Sequence, residues 1–199
     1  MRYVTIFLGA IVLVLGVYVA GVYMNLYGEL EEPGVSVNSE IPKNLVQNKL
    51  IAQEPFGKTK QILFGDTHVH TTYSTDAFFW SLPIMNGEGP HPISDACDFA
   101  RFCANLDFWV STDHAEALTP RKWKSIKEAV RSCNAPTDTT DPDLVTFLGY
   151  EWTQVGTNAE SHYGHKNVMF LDIEETKTPK RAIGAGGVAT NGMRNTLPG

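Results

Sequence analysis

The sequence predicts an α/β fold with parallel strands, preceded by a single membrane-spanning helix. Three observations carry that reading. Residues 3–24, YVTIFLGAIVLVLGVYVAGVYM, contain no charged side chain and match the ~20 apolar residues that a bilayer core requires. From residue 61 onward, short runs rich in β-branched and aromatic residues alternate with stretches of helical periodicity, the order of βαβ units. The metal-competent His, Asp and Glu residues fall just beyond the apolar runs, at the strand carboxyl ends where parallel α/β folds build their sites.

The 199 residues are 43% hydrophobic and 19% charged, with a formal net charge of -6. That composition suits one globular domain and supplies no basic excess, so no nucleic-acid partner is expected. Residues 1–27 read as a membrane anchor. A cleaved signal sequence is the alternative, but its apolar core usually runs ~7–15 residues and ends at an A-x-A-like site, which is not evident here. Arg2 precedes the span while Glu29, Glu31 and Glu32 follow it, so the positive-inside rule leaves the amino terminus cytoplasmic and the bulk of the chain outside. Cleavage would make the domain secreted instead. Tyr23 and Tyr27 suit the outer interface. Residues 28–60, with Pro33, Gly34, Pro42, Pro55 and Gly57 among polar neighbours, read as a linker with one short turn of structure near 45–51.

The folded domain is expected over residues 61–199, opening with a strand at 61–67. Residues 71–92 hold Pro83, Gly87, Gly89, Pro90 and Pro92 and read as a long irregular loop of the kind that lines sites. Ser94 then N-caps a helix to about Asn105, with Asp95 and Asp98 in its first turn and Ala96, Phe99, Ala100 and Cys103 on its core face. LDFWVS at 106–111 is a buried strand ending at TDHAE. Thr119-Pro120 starts a second helix that runs to about Ser132, with Trp123, Ile126, Lys127 and Val130 along one side. Residues 144–148 form a third strand ending at Gly149-Tyr150-Glu151, and residues 166–171 a fourth, the four making an open parallel sheet. The Gly- and Pro-rich stretch 178–199 supplies no further element.

Cys97, Cys103 and Cys133 include no C-x-x-C pair, which excludes a zinc finger. Cys97 and Cys103 stand ~240° apart around a helix and should not pair with each other. Either can reach Cys133 in an oxidising compartment, although buried thiols are the favoured outcome.

The candidate site begins with His68 and His70. After a strand these two share a parity and project to one side, where two imidazoles can hold one ion; Asp66 has the same parity. Alone, the pair reads equally well as polar loop residues. Asp76 on the following loop, Asp113 and His114 after the second strand, Glu151 after the third and His165 before the fourth give it company. His, Asp and Glu without thiolate is the donor set of catalytic zinc, manganese or iron sites rather than of a structural zinc clamp. Glu151 is the carboxylate placed to bridge two ions. Asp113 has two readings, as a group of the site itself or as a partner that orients His114. His162 and His91 read as loop residues, Glu116 and Lys166 as solvated charges, and Tyr150 and Trp152 as core or pocket wall.

The set H-V-H at 68–70, S-T-D-H at 111–114, G-Y-E at 149–151 and G-H-K-N-V at 164–168 resembles the PHP (polymerase and histidinol phosphatase) superfamily of metal-dependent phosphoesterases. The longer runs CDFARFCANLDFWVSTDHAE, FLGYEWTQVG and HYGHKNV are similar to a PHP-like bacterial family known only as a domain of unknown function. The resemblance implies a partial, distorted (β/α)7 barrel with two or three divalent ions, Zn, Mn or Fe, at the strand carboxyl ends. It puts the first ion on His68, His70 and Glu151, the second on Glu151 and His165, and the third on His114. Asp76 stands where members often place another histidine. Glu151 and Asp113 would serve catalysis, and a metal-activated water would hydrolyse a small phosphorylated ester on the periplasmic side of a bacterial inner membrane. Members complete the site with a later histidine and a C-terminal Asp-x-His, and no histidine follows His165. The chain is therefore expected to be the N-terminal part of a longer barrel. The alternatives are a membrane-tethered metal- or ligand-binding module without turnover, or an inactive fragment.

Overall fold

The computed structural model describes residues 2–24, 26, 33–37, 39–56, 62–135, 140, 142–156 and 158–185. The expectations for Tyr27, for the charges at Glu29, Glu31 and Glu32 and for the stretch beyond 185 lie outside these residues, as does that for the Tyr23 side chain. Helix α1 (Arg2–Tyr23) is apolar on all sides. Over Arg2–Gly21 its mean hydropathy is 2.5 and only 6% of it is buried against the rest of the chain. Such a helix can span a bilayer or act as a signal sequence. The expected linker holds more than one turn of structure, namely α2 (Lys43–Gln53) with a 3-10 turn at Glu54–Phe56. No α2 side chain is buried; Lys49 meets Asp107 at 2.6 Å and the Leu45 carbonyl accepts from Asn105 Nδ2 at 3.1 Å.

A four-stranded sheet in the order β1-β2-β3-β4 carries the site. Strand β1 (Gly65–Val69) starts later than the sequence suggests and pairs parallel with β2 (Phe108–Ser111), which pairs parallel with β3 (Val145–Gln154). The fourth strand corrects the expected all-parallel sheet: β4 (Gly164–Phe170) runs antiparallel to β3, from Leu148↔Phe170 to Gln154↔Gly164. The connection between β3 and β4 is too short for the dozen or more residues that a parallel crossover needs, so the chain turns back as a hairpin.

The sheet is strongly curled. In a flat sheet β1 and β4 would lie ~14 Å apart, three spacings of ~4.7–4.9 Å. Instead Asn167 Nδ2 on β4 donates to the Thr67 carbonyl on β1 at 2.8 Å. The result is half a barrel whose concave side gathers groups from all four strands.

The stretch read as an irregular loop contains α3 (Thr75–Ser81) and a 3-10 turn at Pro83–Met85. Helix α4 (Ile93–Asp98) is preceded by Pro92 at the N-cap position, so Ser94 is inside the helix and buried rather than its cap. A π-helical turn follows at Phe99–Cys103, with the Ala104 amide bonded to the Phe99 carbonyl, and Asn105 closes it at φ 49°. The buried positions Ile93, Ser94, Cys97, Ala100 and Arg101 keep helical spacing on a face one step round from the expected one. Phe99 and Cys103 end exposed, and Arg101 turns inward, where it donates to Asp143 Oδ2 and to the Cys133 carbonyl, each at 2.8 Å.

Helix α5 (Pro120–Asn134) follows its expected pattern: Thr119 Oγ1 accepts from the Lys122 amide, Pro120 opens the first turn, and Trp123, Ile126, Lys127 and Val130 are buried. Lys127 is neutralised by Glu175, and Trp123 Nε1 donates to the Pro179 carbonyl at 2.8 Å, so the chain after β4 lies against this helix. Trp123 also packs edge-on to Tyr150 and Phe170. Cys97 and Cys133 form a disulfide between α4 and α5, which replaces the favoured reading of buried thiols; Cys103 is free.

Gly149 allows β2, β3 and β4 to approach. A Cβ there would lie 2.6 Å from the Val168 carbonyl oxygen and 3.0 Å from that of Ser111, both backbone atoms. Gly149→Ala is expected to lower stability by about 1–3 kcal/mol, as overpacking does, read as a lower urea midpoint at unchanged slope.

Candidate metal centre

The centre is built around Glu151. Its side chain is 1% exposed and its backbone is fixed on both sides, since its amide donates to the Asp113 carbonyl at 3.0 Å and its carbonyl accepts from the Ala115 amide at 2.8 Å. Glu151 and Thr153 lie on one face of β3, and their antiparallel partners Asn167 and His165 lie on the same face of β4. The curl then brings His68 and His70 to the other side of the same carboxylate.

The expected parity of His68 and His70 holds, with their Nε2 atoms 3.1 Å apart. Asp66 does not join them. The β1–β2 register shifts between Asp66 and Val69, and Asp66 Oδ1 accepts from the His68 amide at 2.9 Å instead. Glu151 Oε2 lies 2.8 Å from His70 Nε2, 3.3 Å from His68 Nε2 and 3.4 Å from His114 Nδ1, and Glu151 Oε1 lies 2.5 Å from His165 Nδ1. Asp76, in the first turn of α3, sets its Oδ2 3.4 Å from His70 Nδ1 and 3.5 Å from His114 Nε2.

These contacts make three groups that can each hold a metal ion: His68, His70 and Glu151; His70, Asp76 and His114; and His114, Glu151 and His165. Tetrahedral N/O ligation at ~2.0–2.1 Å places donors ~3.3–3.4 Å apart, a spacing that the His68 and His114 contacts with Glu151 match, while those of His70 and His165 are closer, at hydrogen-bond length. The groups share residues. Glu151 can serve two ions through its two oxygens, whereas an imidazole ordinarily serves one. With His114 given to Glu151 and His165, the cluster fits two ions and Asp76 contacts the outer nitrogens of His70 and His114. With His114 given to Asp76, a third position is held by that pair.

Charge balance follows the same geometry. Burial pushes the Glu151 carboxyl up, but His114, His165 and His70 outweigh it and leave it below the ordinary carboxylate range. Asp76 is also lowered: burial opposes ionisation, and the Ala77 amide with His114 and His70 overcomes it. Asp113 is raised, chiefly by complete burial.

Asp113 points away from the histidine cluster, toward the Thr71 turn. Its Oδ1 accepts from the Thr71 amide at 2.7 Å and its Oδ2 from the Thr71 hydroxyl at 2.9 Å, so it braces the turn after His70 and is in none of the three groups. Its effect on His114 is indirect, through Ser74, which bonds the Asp113 carboxylate and accepts from the His114 amide at 2.8 Å. His162 contacts Gly156 in its loop, and His91 pairs with Asp95 at 3.1 Å. Glu116 is not a solvated charge: its Oε1 accepts from the Thr153 and Ala185 amides.

Thr153 belongs to the site and was not singled out in the sequence. Its hydroxyl stands 2.8 Å from His114 Nδ1 and 3.3 Å from His165 Nδ1. The available signal was its position two residues after Glu151 on one strand, which gives both the same facing.

No curated protein and no solved structure matches the chain. A family model described as "Protein of unknown function (DUF3604)" matches residues 57–119, the part that carries His68, His70, Asp76, Asp113 and His114 but not Glu151 or His165.

Proposed function

We propose that this chain is part of a PHP-like, metal-dependent hydrolase that cleaves small phosphorylated esters. The observation that carries the reading is the buried Glu151 carboxylate within reach of four imidazoles from three other positions in the fold, an arrangement that satisfies itself fully when cations share it. Divalent ions bound there supply an activated water and neutralise charge on the ester. The chain's own part is to fix the donors. Glu151 spans neighbouring positions, Thr153 borders the Nδ1 atoms of His114 and His165, and Asp113 holds the Thr71 turn. Asp76 limits the outer rim.

The anchor and the disulfide support a domain outside the cytoplasm, because disulfides persist in oxidising compartments. A tethered binding module without turnover is the second reading. It is favoured by the shared donors of the outer positions, where His114 stands both with Glu151 and His165 and with His70 and Asp76.

The test is to load the metal-free chain separately with Zn, Mn and Fe(II), count bound metal, and assay phosphomonoesters and diesters. Two or three ions per chain and metal-dependent hydrolysis are expected, with one ion and the hydrolysis lost in His68→Ala. Stoichiometric metal without turnover of any ester selects the binding module. Turnover unaffected by His68→Ala would sink the metal-centre assignment.

A further inference from the structure

A cavity of about 200 Å³ lies beside the metal centre, between the turn that follows His70 and the start of α4. His70 itself is in its wall, so whatever fills the cavity stands next to the centre. Ala77, Pro92 and Ala96 give it apolar surface, and His91 and Asp95 bring polar groups to it.

His91 is held in that wall from two directions. The Thr72 hydroxyl donates to the His91 carbonyl at 3.2 Å and accepts from its amide at 3.4 Å. The preceding Thr71 is fixed to the buried Asp113, so the turn after His70 is braced on one side and clasps His91 on the other. Pro90 and Pro92 restrict the backbone on either side. The ring is set by Asp95, whose Oδ2 lies 3.1 Å from His91 Nδ1. That contact places the proton of the neutral imidazole on Nδ1 and makes Nε2 the acceptor.

Size and charge decide which part of an ester suits the cavity. It is smaller than the ~300–1,000 Å³ of sites for drug-sized ligands, so only a short group fits. Asp95 in the wall and Asp76 next to Ala77 are carboxylates that repel a phosphate, whose charge belongs with the cation-binding groups. The alcohol half is the part that remains.

We propose that this cavity seats the alcohol part of a phosphomonoester, and that His91, oriented by Asp95, selects a short alcohol bearing a second hydroxyl. That hydroxyl donates to His91 Nε2 while the alkyl carbons lie against Ala77, Pro92 and Ala96. Resting on the hydrolase reading, this narrows the substrates to phosphorylated short diols and polyols.

The test has two arms, both on the full chain in detergent micelles. In the first, metal-free chain labelled with ¹⁵N-histidine is titrated with 1,3-propanediol, and His91→Gln identifies the His91 signals. The diol is expected to shift His91 Nε2 in the wild type and not in Ala96→Leu, whose larger side chain fills the cavity. Intermolecular Overhauser effects from the diol to the Ala77 and Ala96 methyl groups locate it in the wild type without any variant. No shift and no such effects would overturn the proposal, as would an equal shift in a folded Ala96→Leu. In the second arm, metal-loaded wild type is expected to prefer 3-hydroxypropyl phosphate to propyl phosphate about tenfold in kcat/KM, the value of one hydrogen bond, with the preference lost in His91→Leu. Equal rates for the two esters in the wild type overturn the role of His91. Absence of all turnover would refute the hydrolase reading, and the metal-free titration would still decide what the cavity binds.

Discussion

Glu151→Gln is expected to abolish metal retention, lowering affinity by more than the ~10–100-fold that loss of an outer partner costs. The amide keeps the size of the side chain but removes the charge that faces His68, His70, His114 and His165. It also removes the carboxylate that, among the described residues, can serve two positions at once, so both should empty together, where His165→Ala should empty one. Isothermal titration of the metal-free variants reads this directly. Equal stoichiometry in wild type and Glu151→Gln would falsify the shared-carboxylate geometry.

Reducing the Cys97–Cys133 bond is expected to cost about 4 kcal/mol. The sequence separation is 36 residues, and chain-entropy estimates for loops of this size fall between ~3 and ~4.7 kcal/mol. Against the ~5–15 kcal/mol that holds a typical domain together, that is a large share. The local packing should amplify it, since Thr146 Oγ1 donates to Cys133 Sγ at 2.9 Å and Arg101 lies 3.6 Å from Cys97 Sγ. Urea unfolding with and without reductant measures the effect, with Cys103→Ser as background to remove thiol exchange. An unchanged midpoint would show that α4 and α5 are held by packing alone.

Much of the centre was legible because the chemistry sits where strands end. His68, His70, Asp76, His114, Glu151 and His165 were each found from residue type and place, and the structure brings all six together. Helix α5 was legible because a Thr-Pro start and a spaced apolar face agree. Other features depend on geometry that residue type does not encode. The short helix before β2 buries Ile93, Cys97, Ala100 and Arg101, one step round from the face its apolar residues suggest, which leaves Phe99 and Cys103 outside. The bulge in β1 separated Asp66 from the histidines. Asp113 had two readings, in the site or orienting His114, and residue type could not choose between them because adjacent residues on an extended chain face opposite ways. The direction of β4 had a signal in its short connection that pattern reading alone passed over.

The amide clasp between Asn167 and Thr67 has a consequence for how the site behaves without metal. One neutral hydrogen bond of this kind is worth about 1 kcal/mol net, a small addition to the ladders that hold the two outer strands in the sheet. Glu151 is held by backbone bonds on both sides. His68 and His70 stand on one lip of the curl, and His165 on the other. Cations bridging the lips would tighten the whole curl, and their binding energy would be recovered in part as resistance to unfolding.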